Sequence, residues 1–87
     1  MTDSRQAVIY RMVLPHHTCP YGVRAKQMLE EAGYDVTDRI LRSREEVGAF
    51  LDVEGVDTTP QVFIGEERVG GSDEVEAYLI KEQSAVP

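Results

Sequence analysis

The chain reads as an α/β domain in which a βαβ unit is followed by ββα, giving a four-stranded mixed sheet flanked by three helices. Three observations predict this. A short apolar, β-branched run at Ala7–Leu14 precedes a stretch with helical spacing of apolar residues. A second strand-and-helix pair follows from Asp35, and a strand opened by Pro60 leads through a tight turn and a glycine pair to a last helix. The 87 residues suffice for one compact domain, 1–87, with its core over about 7–81.

Each element has its local reason. Ala7-Val8-Ile9-Tyr10-Arg11-Met12-Val13-Leu14 is a buried strand closed by Pro15, followed by a polar loop, His16-His17-Thr18-Cys19. Tyr21, Ala25, Met28, Leu29 and Ala32 recur at helical spacing, and Gly33 is placed to end that helix in a left-handed conformation. Asp35–Leu41 is a second strand with Val36 and Ile40 inward. Ser43 caps a second helix, with Glu46 three residues on as a capping box and Val47, Phe50 and Leu51 as the inward stripe. Thr59–Gly65 is a third strand, Glu66-Glu67 a tight turn, and Arg68-Val69 a short fourth strand. Gly70-Gly71-Ser72-Asp73 leads into a last helix with Val75, Tyr78 and Leu79 facing in, and the tail from Glu82 frays. The first two strands are expected to be parallel and the last two a hairpin.

Composition narrows the function. With 41% hydrophobic and 29% charged residues, wholesale disorder is not expected. No apolar run approaches the roughly 18 residues a membrane span needs, and Met1-Thr2-Asp3-Ser4 has no signal-like pattern, so the expectation is a cytoplasmic protein away from membranes. The net charge of −7 is uneven: residues 43–87 hold three Lys/Arg against eleven Asp/Glu. An acidic surface repels phosphate backbones, which argues against nucleic acid as a partner.

The chain has one cysteine, so it forms no disulfide and no cysteine zinc cluster of its own. A lone cysteine is most often an inert small hydrophobe. Here polar His17 and Thr18 precede it and a helix start follows it, which argues against burial. Proline is favoured at the first helical position, so Pro20 makes Cys19 the N-cap, facing unpaired N–H groups and the positive end of the helix dipole. Both favour a thiolate, and Arg24 and Lys26 add positive charge nearby. A thiol pKa lowered by about three units gives roughly thirtyfold more thiolate at neutral pH, but the accompanying loss of nucleophilicity removes nearly all of that gain. The larger benefit comes when Cys19 is the leaving group. His16, His17 and Cys19 offer three metal-ligand types within four residues, but nothing else in the chain completes a site, and no metal is expected.

Cys19-Pro20-Tyr21-Gly22 resembles the glutaredoxin active-site tetrad CPYC with its second cysteine replaced by glycine. Val23-Arg24-Ala25-Lys26 is similar to the usual continuation of that helix. Thr58-Thr59-Pro60-Gln61-Val62-Phe63-Ile64-Gly65 resembles the family's TVPQVFIG, and Val69-Gly70-Gly71-Ser72-Asp73 its IGG-x-D turn. The three motifs stand in family order and spacing, from about Val8 to Leu79. The resemblance implies a thioredoxin-like fold and a glutathione-dependent thiol–disulfide oxidoreductase acting on protein–glutathione mixed disulfides. Cys19 would be the nucleophile and Pro60 a cis-proline facing it. The Thr59 backbone would pair with the cysteine of glutathione, and Tyr21 would flank the sulfur. Gly70 and Gly71 would let the backbone approach the ligand, with Ser72 and Asp73 holding its γ-glutamyl end.

Three departures bear on this. Gly22 removes the resolving thiol, leaving a monothiol cycle. His16 stands where the family usually has a lysine that contacts a glutathione carboxylate. Val47 stands where Arg or Gln is frequent, with Arg42 or Arg44 as substitutes. Two alternatives stay open at the level of sequence. One is a [2Fe–2S] carrier bridged by glutathione between two copies, against which stand the CPYG tetrad and the lack of an evident added loop before the cysteine. The other is a glutathione-binding domain without turnover. A monomer is expected.

Overall fold

The computed structural model describes residues 6–84. Along them run β1 (Gln6–Leu14), β2 (His17–Thr18), α1 (Pro20–Glu31), β3 (Asp35–Leu41), α2 (Arg44–Glu54), β4 (Gln61–Ile64), β5 (Glu67–Gly70) and α3 (Ser72–Ser84). β1 is the central strand. It pairs parallel with β3 from Gln6 to Met12 and antiparallel with β4 from Ala7 to Tyr10, so the main sheet runs β3-β1-β4-β5. This is the mixed four-stranded arrangement the sequence predicts, with one addition. The stretch expected as a loop turns back at Pro15-His16 instead, and His17 and Thr18 pair with Leu14 and Val13 as β2. The physical reason lies in β1, whose apolar run continues past the end of β4. Its exposed backbone groups need partners there, and a local hairpin supplies them.

The pleat of β1 sorts its side chains between two faces. Ala7 and Ile9, with Val62 and Ile64 of β4, point toward α1 and α3, where Ala25, Leu29, Val75 and Leu79 close the core. On the opposite face Tyr10 stacks on Phe50 of α2 at 4.7 Å and meets Phe63 edge-on at 5.9 Å. The expected stripe of Val47, Phe50 and Leu51 is only half-buried, because α2 meets the sheet mainly over β3 and Tyr10. Tyr21 departs further from expectation. It is 61% exposed, and Gly22 takes the buried place on that turn of α1.

The caps follow the sequence closely. Gly33 (φ 87°) ends α1, and Ser43 Oγ accepts from the Glu46 N–H at 3.1 Å. The Glu46 carboxylate accepts from the Arg42 N–H at 2.6 Å, one residue before the expected partner of a capping box. The β4–β5 turn is Gly65-Glu66, so Glu67 already belongs to the strand.

Two polar contacts fix the packing. Arg11 continues the Ala7–Ile9 face, and its guanidinium grips Asp38 of β3 through Nη2 at 2.7 Å and Nε at 2.9 Å. The two side chains are only 14% and 21% exposed. The Asp38 hydrogen bond raises the Arg11 pKa against the opposing effect of burial. At the far end of the core, Tyr34 donates its O–H to Glu82, 2.8 and 3.0 Å from its carboxylate oxygens. Glu82 therefore sits in α3, which runs to Ser84, and not in a frayed tail; residues 85–87 lie outside those described.

Burial, then the bond to Glu82, pushes the Tyr34 pKa up from its ordinary 10.0. The folded protein thus keeps this proton at pH values where the unfolded chain loses it. The resulting stability is complete below pH 10.0 and is lost above it. Tyr34→Phe should cost about 1–2 kcal/mol at neutral pH. It should also flatten the decline in stability above pH 10.0, as measured by urea unfolding at a series of pH values.

Candidate active site

Cys19 is clamped between strand and helix. It is the N-cap of α1, extended at φ −68° and ψ 118°, with Pro20 in the first helical position. Its N–H donates to Met12 C=O at 3.4 Å, and its C=O accepts from the N–H groups of Gly22 and Val23 at 3.2 and 3.4 Å. Its side chain caps no backbone N–H and is half-buried.

The second element arrives by sheet register. Tyr10 pairs with Gln61, and continuing that antiparallel ladder by one step sets Pro60 opposite Arg11, next to the Met12 to which Cys19 is bonded. The Thr59–Pro60 bond is cis; Pro60 is buried and Thr59 half-buried. Gln61, itself buried, donates from Nε2 to Thr58 C=O at 2.9 Å and so fixes the loop that carries this bond.

The third element is the start of α3. A bulge in β5, where Val62 pairs with Gly70 but Phe63 with Arg68, re-aims the chain at this point. Gly70 has φ 124°, which only glycine adopts readily, and a Cβ there would lie 2.9 Å from Glu74 Cβ. A Cβ on Gly71 would lie 3.4 Å from Pro60 C=O, so the glycine pair runs directly against the cis-proline loop. The Gly71 N–H is taken by Glu74 Oε1 at 2.9 Å, and its C=O accepts from the Val75 N–H. The N–H groups of Ser72 and Asp73, in the first turn, have no acceptor within the helix. Ser72 is buried and the Asp73 side chain exposed.

Cys19, Thr59, Pro60, Gly71, Ser72 and Asp73 thus belong to one end of the molecule, where α1, β4 and α3 begin. His16 lies exposed in the β1–β2 turn, three residues before Cys19. Tyr21 stands exposed two residues after it. Val47 lies half-buried in the first turn of α2, and Arg42 and Arg44 are exposed. Among the described residues, no group of three His, Cys, Asp or Glu side chains is placed to hold a metal ion, and His16, His17 and Cys19 do not gather into one. The segment before the cysteine is a short hairpin, β1–β2, with a two-residue turn at Pro15-His16.

Three residues at this end, Glu74, Gln61 and Arg11, escaped the sequence-based expectations, and the two cations named there, Arg24 and Lys26, pair elsewhere. Arg24 reaches across to α3, 3.0 Å from Glu76 and 3.6 Å from Asp73, and Lys26 pairs with Glu30 at 2.8 Å. Both cations expected to bias the cysteine are therefore met by carboxylates. Glu74 caps Gly71, a pairing its three-residue spacing signals. Gln61 braces the proline loop, and Arg11 lies under Gly22.

The family model described as Glutaredoxin matches residues 7–69. A glutaredoxin of Pseudomonas aeruginosa is 42% identical over 60 residues, 68% of this chain and 71% of that protein. The hybrid peroxiredoxin hyPrx5 of Haemophilus influenzae is 40% identical over 61 residues, and this chain spans only 25% of its length. The crystal structure of glutaredoxin 1 from Francisella tularensis, complexed with cacodylate, superposes with a TM-score of 0.76 at 29% identity, covering 91% of this chain and 96% of that one. The chain belongs to the glutaredoxin family.

Proposed function

We propose that this chain is a glutathione-dependent thiol–disulfide oxidoreductase that reduces protein–glutathione mixed disulfides through Cys19 alone. The observation that carries the reading is the placement of the chain's one cysteine at the N-cap of α1, at the end of the molecule where the cis-Pro60 loop and the start of α3 also lie. Membership of the glutaredoxin family supports it.

The cycle has two exchanges. The Cys19 thiolate attacks the glutathione-side sulfur of the mixed disulfide. The old S–S bond breaks, and the protein thiolate leaves and takes up a proton. A second glutathione, as thiolate, then attacks the glutathione sulfur of the Cys19 adduct; the bond to Cys19 Sγ breaks, and oxidised glutathione and the Cys19 thiolate are released. The chain's other residues hold the glutathionyl group for both steps. The Thr59 backbone, beside the cis bond to Pro60, pairs with the cysteine of glutathione as a strand would. The first-turn N–H groups of Ser72 and Asp73 receive the γ-glutamyl carboxylate, and the Asp73 carboxylate meets the ammonium. Gly70 and Gly71 keep side chains away from that end. Tyr21 borders the sulfur, and His16 meets a glutathione carboxylate. Recognition is thereby directed at glutathione and leaves the protein partner open.

Cys19→Ser should abolish turnover of a glutathionylated peptide in an assay coupled to glutathione and its reductase, and activity surviving that change would sink the proposal. Incubation with oxidised glutathione should add a single glutathione to the native protein by mass spectrometry, and none to Cys19→Ser. Asp73→Asn should raise KM for the glutathionylated peptide by roughly five- to tenfold with kcat little changed, about the 1–1.5 kcal/mol of one exposed charge-assisted contact.

A further inference from the structure

We infer that Gly22 and Arg11 form one steric unit that keeps position 22 free of any side chain, so that the Cys19 adduct is discharged by an outside thiol and not by a second thiol on the same helix. The inference rests on Cys19 being the redox residue. It adds that the monothiol character is built into the packing of α1 on β1 and is not the simple loss of one sulfur.

Three observations combine. A Cβ placed on Gly22 would lie 2.9 Å from Arg11 Cβ, 3.4 Å from its Cδ and 3.7 Å from its Cγ. The nearest of these is the root of the side chain, set by the β1 backbone, and cannot swing away as a flexible tip could. Nor is the rest of Arg11 free to move, since its guanidinium holds Asp38 by three bonds of 2.7–3.1 Å, and Asp38 lies on a strand in register with β1 over its whole length. Third, α1 is anchored against lifting. Cys19 N–H is bonded to Met12 of β1, Ala25 and Leu29 are fully buried, and Arg24 ties the helix to α3.

The chemical consequence concerns the second exchange. In a dithiol enzyme, a thiolate at position 22 would attack Cys19 Sγ and form an intramolecular disulfide. The bond from Cys19 to glutathione would break, and glutathione would leave as a thiolate and take up a proton. That bond requires the Cβ atoms of residues 19 and 22 to come about 3.5–4.5 Å apart. Here the second Cβ falls on space that Arg11 Cβ denies it. The remaining route is attack by a thiol from solution.

The test turns on a sign. Helix propensity alone ranks alanine above glycine, so Gly22→Ala should raise Tm if no steric unit exists. We expect a fall of about 4 °C or more. Gly22→Cys treated with oxidised glutathione should carry glutathione on Cys19 as its main product by peptide mapping. The Arg11→Gly/Gly22→Cys pair should shift toward the internal disulfide, read as loss of glutathione and of two hydrogens. A rise in Tm for Gly22→Ala, or complete internal disulfide in Gly22→Cys with unchanged Tm, would overturn the inference. If the double variant does not fold, those two single-variant results decide alone. A native protein that takes no glutathione refutes the proposed function and leaves the sign of Gly22→Ala to judge the packing separately.

Discussion

The first turn of α1 lies on β1 with no side chain between them at Gly22, and the geometry of the Cys19 end follows from that contact. The buried residues of α1 are Gly22, Ala25 and Leu29, which grow in size away from the cysteine. Smaller side chains let backbones approach more closely, so this series brings the helix nearest the sheet at its N-terminus. There the Cys19 N–H can reach Met12 C=O, and Cys19 becomes the junction of a strand and a helix. A bulkier residue at 22 would push outward the turn that positions the sulfur.

The Arg11–Asp38 pair is the counterpart of that contact on the sheet. Alternation along β1 would favour an apolar residue after Ala7 and Ile9, and an isolated charge there would be costly to bury. The bidentate bond to Asp38 compensates the charge, while the aliphatic stem of Arg11 forms the floor beneath Gly22. Buried pairs of this kind add little net stability over apolar replacements, but removing one partner leaves the other uncompensated. Their value here is geometric, since the pair ties β1 to β3 and fixes the surface on which α1 rests.

Much of this was legible in the sequence, and the gaps have physical reasons. The strand at β1, the glycine that ends α1, the serine cap of α2 and the strand opened by Pro60 each carry a local signal in residues adjacent along the chain, while the cis bond at Pro60 was implied by the family resemblance. β2 carries none. Two residues, His17 and Thr18, show no periodicity, and they pair only because Val13 and Leu14 overhang the sheet. Arg11 was visible as a charge inside an apolar run, but its partner lies 27 residues away on a parallel strand. Arg24 looked like a cation for the cysteine because only the docking of α3 brings Glu76 and Asp73 to it. Glu82 carries no local helical signal, and its place in α3 depends on the buried Tyr34, 48 residues away, whose hydroxyl needs an acceptor.

The charges at the start of α3 bear on what this end of the molecule can accept under the proposed function. Asp73, Glu74 and Glu76 crowd one turn, with Arg24 as the cation paired to Asp73 and Glu76. Glu74 is turned back onto the Gly71 N–H, which takes that donor from any ligand and leaves the next N–H groups of the turn. A bare anion approaching those groups meets repulsion from the carboxylates around them. A ligand that brings an ammonium beside its carboxylate meets both demands, giving the carboxylate to the backbone and the ammonium to Asp73. The α-amino acid end of a γ-glutamyl group has that form. Under the proposed function, the acidity of this half of the chain would act as a selector, admitting a zwitterion where a simple phosphate or carboxylate is disfavoured.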